Sequence, residues 1–133
     1  MLNTQETQVA TYLHWVKGIP QKDIAELLSV TLFEVEQGIE KYLEAESLQV
    51  TKEADIGDSI TFLYKERQAS GKVEKRYNNS VLVSMFDIAF SEAEDVAKTI
   101  VNHKRYTFID TKKIPEPTIP QKVQTRLGKT MAS

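Results

Sequence analysis

The sequence predicts an α+β fold in which two related helical units, the second reduced, pack as an internal dimer. Three observations lead there: helical apolar spacing through the first 46 residues, a change to period-two alternation after Leu48, and a diverged internal repeat at an offset of 58 residues.

The elements follow in order. Residues 5–17 place Val9, Tyr12, Leu13 and Val16 at helical spacing, and Gly18 closes the segment. Pro20 suits the first turn of a helix over 20–28, because its missing N–H has no partner to lose there. Ile24, Leu27 and Leu28 share one face of that helix. Ser29-Val30 reads as a short turn. Thr31 with Glu34 makes a capping-box pattern, opening a third helix over 31–46 that buries Val35, Ile39, Tyr42 and Leu43. Leu48 and Val50, then Ile60, Phe62 and Tyr64, alternate about a reversal at Asp55–Asp58, which predicts a β-hairpin. "QASG" reads as a further turn, with a third strand over 73–77. Three helices and a hairpin give the winged-helix order.

In the repeat, Ile24, Leu27, Leu28 and Val30 align with Leu82, Met85, Phe86 and Ile88. Val35, Ile39 and Leu43 align with Ala93, Ala97 and Val101, while Leu48 and Val50 align with Tyr106 and Phe108. The expected organisation is a winged-helix unit over 1–66, a reduced winged-helix-like unit over 67–113 sharing its core, and a proline-containing basic tail over 114–133. Pro115, Pro117 and Pro120 favour extended backbone in that tail, and "QKVQTRLGKTMAS" forms a short frayed helix or none.

Composition narrows the function. No apolar run approaches the roughly 20 residues of a membrane helix, and no secretory signal is visible at the N-terminus. The chain has no cysteine, which fits a reducing compartment and excludes disulfides and thiolate metal sites. His14 and His103 are the only histidines, so a zinc site would have to recruit carboxylates from distant positions and no metal is expected. Net charge is −2, yet residues 1–97 hold 9 Lys+Arg against 17 Asp+Glu, and residues 98–133 hold 8 against 2. An acidic body with a basic end is the layout of a chain that meets a polyanion at one face. No GxSxG, glycine-rich phosphate loop or HExxH is present, and the Glu run over 34–46 reads as solvated surface, so no enzyme is expected.

"QKDIAELLSVTLFEVEQGI" resembles the helix-turn-helix of bacterial regulators, with Ala25 as the small crossing residue and Val30 and Val35 as core contacts. Its outward positions are Thr31, Leu32, Phe33, Glu36, Gln37, Glu40 and Lys41. Of these, Thr31, Gln37 and Lys41 are candidate DNA contacts, and Leu32 with Phe33 is an apolar patch. The second copy begins at Ser91, Glu92, Glu94 and Asp95 and then offers Lys98, Thr99, Asn102, His103, Lys104 and Arg105, followed by Lys112 and Lys113. Lys65, Arg67, Lys72, Lys75 and Arg76 complete ten basic residues interleaved with Tyr64, Tyr77 and Tyr106. The cations would neutralise phosphates, while Thr99, Asn102 and Gln37 are candidates for base reading.

Together the repeat and the helix-turn-helix are similar to double winged-helix DNA-binding proteins, as in accessory proteins of Gram-positive conjugative plasmids. That resemblance implies a cytoplasmic, cofactor-free protein binding double-stranded DNA, as a conjugation accessory factor or transcriptional regulator. The acidic first recognition helix departs from the pattern. The competing expectation is a winged-helix protein-interaction module docking through Leu32 and Phe33.

Overall fold

The computed structural model describes residues 2–88 and 98–131. The chain divides into two compact units, Met1–Glu46 with Ile114–Ser133, and Ser47–Lys113.

The first unit is helical. Its helices are α1 (Thr4–Trp15), α2 (Gln21–Leu28), α3 (Leu32–Ala45) and α4 (Gln121–Met131). A capping box that the sequence reading did not anticipate starts α1: the Asn3 side chain accepts from the Glu6 N–H and the Glu6 side chain accepts from the Asn3 N–H. Every residue of α1 from Val9 to Trp15 is buried, so this helix runs through the core. By contrast α2 and α3 are amphipathic, burying Ile24, Leu27 and Leu28, and Val35, Ile39 and Leu43. Thr31 caps α3 by accepting from the Glu34 N–H at 3.1 Å.

The α2–α3 turn uses a left-handed backbone at a residue that is not glycine. Ser29 takes a left-handed φ of +57°, where glycine is usual. Arg126 of α4 secures it: Nη1 donates to Leu27 O at 2.9 Å and to Ser29 Oγ at 2.8 Å. A cation on the last carbonyls of a helix satisfies acceptors that would otherwise lack donors. Val123, buried on α4, supplies the apolar anchor.

The second unit is a sheet, and here the structure overturns the predicted winged helices. Its strands, in spatial order β1 (Gln49–Val50), β6 (Tyr106–Ile109), β2 (Ser59–Tyr64), β3 (Arg67–Arg76), β4 (Ser80–Ile88) and β5 (Lys98–Asn102), are antiparallel throughout. The observed architecture is therefore a sheet-dominated α+β arrangement. Gln49 and Val50 pair with Ile109 and Phe108, not with Ile60–Tyr64, so the expected wing does not form. "QASG" lies within the first half of β3 and makes no turn. Leu82–Ile88 and Lys98–Val101 are strands where the repeat required helices. Residues 91–97, the proposed start of the second recognition helix, lie outside the described residues. No second helix-turn-helix, and hence no internal dimer, exists among the described residues.

The sheet is curled. Between β5 and β6 lie only His103–Arg105, a single 3-10 turn. In a flat sheet these strands would be four spacings, about 19 Å, apart, whereas the chain from Asn102 to Tyr106 spans at most about 14 Å. The meander β2–β3–β4–β5 therefore bends until β6 can return beside β2. The concave side holds Ile60, Phe62, Ala69, Val73, Val81, Val83, Val101 and Phe108, closed at one end by the fully buried Ala54. Each of the larger side chains contributes roughly 1.5–3 kcal/mol by leaving water. Gly71 belongs where it is because a Cβ there would collide with Cγ1 of Val83 and come within 3.1 Å of Ser84 O.

Candidate nucleic-acid interface

A one-residue irregularity in β3 decides which residues share the convex face. Lys72 pairs with Ser84 and Val73 with Val83, but Lys75, not Glu74, pairs with Leu82. In a regular strand Lys72 and Lys75, three residues apart, would point to opposite faces; the bulge at Glu74 returns both to the outside. Three cross-strand rows result: Lys72–Ser84–Lys98, then Lys75–Leu82–Ile100, then Tyr77–Ser80–Asn102 at the end of the sheet. Glu74 and, opposite Ser70 in the next row, Asp87 are acidic members of this face, and Oε2 of Glu74 lies 3.1 Å from Lys98 Nζ. Both side chains are well exposed, so the pair is weak. Tyr77 and Ile100 stand 44% and 62% exposed beside the lysines.

Three turns meet at that end of the sheet, tied by one polar chain. The Tyr106 hydroxyl accepts from the Ala54 N–H at 2.8 Å and lies 2.7 Å from Nδ1 of His103. Nε2 of His103 is 3.0 Å from the Tyr77 carbonyl, which can only accept, so Nε2 carries a proton. With Nε2 engaged there, Nδ1 is left to share the hydrogen bond with the Tyr106 hydroxyl. The His103 N–H donates to Asn79 O at 3.0 Å. Arg76 is hydrogen-bonded to Glu53 across the same junction. Asn102 caps the 3-10 turn by accepting from the Lys104 N–H at 2.8 Å. This network fixes the backbone that presents Lys104 and Arg105, both exposed and without an acidic partner within 4 Å among the described residues.

The residues singled out from the sequence are thus only partly brought together. Lys72, Lys75, Lys98, Asn102, Lys104 and Arg105 cluster on the convex face and its adjoining turn. Arg76 lies at the same end, held by Glu53. His103 has both ring nitrogens engaged inside the unit. Thr99 pairs with Val83 and so sits on the concave side of the edge strand. Lys65 and Arg67 occupy the β2–β3 turn, about 30 Å along β3 from Arg76. Lys65 Nζ lies 5.5 Å from the centroid of the Tyr64 ring. Lys112 and Lys113 follow β6 in another 3-10 turn, with Lys113 Nζ 3.8 Å from Asp110.

In the helical unit, Thr31, Gln37 and Lys41 line a pocket of about 390 Å³ with Leu2, Thr7, Phe33, Glu34 and Gly38. Phe33 is 66% exposed at its wall. Ile100 and Ser84 were missed on the convex face, because both lay in segments read as helix and only strand parity reveals their side.

Among the described residues no group of three or more His, Asp or Glu side chains could hold a metal ion, and no helix is long and apolar enough to cross a membrane. The chain matches, over residues 52–109, a family described as "Uncharacterized protein conserved in bacteria (DUF2187)". The matched segment takes in β2 to β6 and therefore the whole convex face. The chain matches no curated protein and no solved structure.

Proposed function

We propose that this chain is a non-enzymatic, cytoplasmic nucleic-acid-binding protein that grips phosphates through the convex face of β3–β5 and the His103–Arg105 turn. The observation that carries the reading is that Lys72, Lys75 and Lys98 share one face and Lys104 and Arg105 are exposed in the turn at its end, with Lys98–Glu74 the one ion pair of these five among the described residues. Five cations, one of them weakly paired, attract a polyanion and release its counterions. Asn78, Asn79 and Asn102 add polar side chains at the rim. The proposal does not use a groove-reading helix, since the fold that required one is absent.

Charge reversal tests it. Lys104→Glu with Arg105→Glu should lower affinity for fluorescein-labelled oligonucleotides by on the order of tenfold or more at 50 mM salt. Its thermal unfolding should match that of the parent, because neither side chain is buried. Failure of the parent chain to bind any oligonucleotide at low salt, or equal binding by the variant, would overturn the reading.

A further inference from the structure

The convex face is not only cationic. Tyr77 and Ile100 are large apolar side chains left open on the same surface as the lysines. By strand geometry they lie about 12 Å apart, two strands over and two residues along. Their settings differ. Ile100 is held mid-strand by the Val81–Val101 and Val83–Thr99 pairings on either side of it. Tyr77 has its N–H bonded to Ser80 O at 2.8 Å and its carbonyl bonded by His103, so its backbone is fixed and its ring projects from a pre-formed hairpin.

A duplex turns phosphates and sugars outward and hides the flat faces of its bases, leaving a projecting ring little to stack on. An unpaired strand offers those faces to any aromatic platform, with phosphates close enough for neighbouring lysines. Asn78 and Asn79, exposed at the turn after Tyr77, are placed to meet base edges that only an unpaired strand leaves open. The convex, three-strand surface also lacks any element shaped to enter the major groove.

We infer that the convex face takes single-stranded nucleic acid, with Tyr77 stacking on one base, Ile100 packing under another, and Lys72, Lys75, Lys98, Lys104 and Arg105 following the backbone. This rests on the reading proposed above and goes further by naming the strandedness of the ligand.

The test compares a labelled 15-nucleotide single-stranded DNA with the duplex of the same sequence, by fluorescence anisotropy on the full chain. The single strand should bind at least tenfold more tightly. Tyr77→Ala should weaken single-strand binding by on the order of tenfold, the loss expected for one stacked base. Tyr77→Phe keeps the ring and should bind as the parent does, while duplex binding should be nearly unchanged in both variants. A circular-dichroism melt confirms that each variant is folded; should Tyr77→Ala melt early, Tyr77→Ser with Ile100→Ala repeats the comparison through both platforms. Equal or tighter duplex binding, or unchanged single-strand binding on loss of the ring, overturns this inference while leaving phosphate binding in place. Binding of neither form at low salt removes the parent reading as well.

Discussion

His14 is the residue whose chemistry is most constrained by its surroundings. It is fully buried on α1, with Nδ1 donating to the Ile19 carbonyl at 2.8 Å and Trp15 edge-on at 4.9 Å between ring centroids. Burial lowers its pKa from 6.5 to about 4, with the Ile19 hydrogen bond opposing only part of that shift. The unfolded chain therefore binds a proton below pH 6.5 that the folded chain refuses. Stability contributed by the neutral ring is complete above that pH and is lost as pH falls towards 4. Between pH 7 and pH 4.5 the loss attributable to this residue is about 2–3 kcal/mol. Urea unfolding at the two pH values measures it. His14→Gln retains an N–H donor but cannot take up the proton, so its stability should vary less over the same interval. An equal slope for parent and variant would place the acid sensitivity elsewhere.

Among the elements, the β2–β3 hairpin is built on an unfavourable pair. Lys65 and Glu66 form its two-residue turn with φ values of +50° and +67°, the geometry that matches the twist of the strands but favours Asn-Gly. Lys65→Asn with Glu66→Gly should therefore stabilise the chain by about 1 kcal/mol, after the entropy glycine costs on folding. A thermal midpoint raised by a few degrees is the expected result, and a fall would show that the native pair is held by other contacts. This turn also illustrates what the sequence could not reveal. Helices α1–α3 were legible because their apolar residues recur with the helical period between recognisable start signals. In β4 the same rule misled: Leu82, Met85 and Phe86 have helical spacing, yet the buried pair is Val81 and Val83, which alternate. Seven residues satisfy both periods, and only cross-strand partners decide between them. The cations of the candidate site were visible as a group from their numbers alone. Their common face was not, because it depends on the bulge at Glu74, and nothing in "GKVEKRY" distinguishes a bulged strand from a regular one. For α4, one apolar anchor at Val123 and the reach of Arg126 to the α2 terminus hold a helix that its own residues scarcely specify.

At the scale of the whole molecule, an acidic chain is proposed to hold a polyanion, and the range of electrostatic forces resolves the contradiction. The net negative charge comes from residues 1–46, where 8 Asp+Glu, Glu34, Glu36, Glu40, Glu44 and Glu46 among them, face 3 Lys+Arg. At physiological ionic strength charges act over about 8 Å, so a phosphate on the convex face responds to its nearest lysines and arginine far more than to the chain total. Counterion release then sets the salt dependence. Five cations on a single strand would give a slope of log affinity against log salt of about −3.5, and the ion pair of Lys98 with Glu74 trims this towards −3. Removing Lys104 and Arg105 as cations should flatten the slope by about 1.4. Anisotropy titrations from 20 to 300 mM salt check both slopes. A parent slope shallower than about −1 would mean that fewer than two phosphates are neutralised, which five converging cations do not permit.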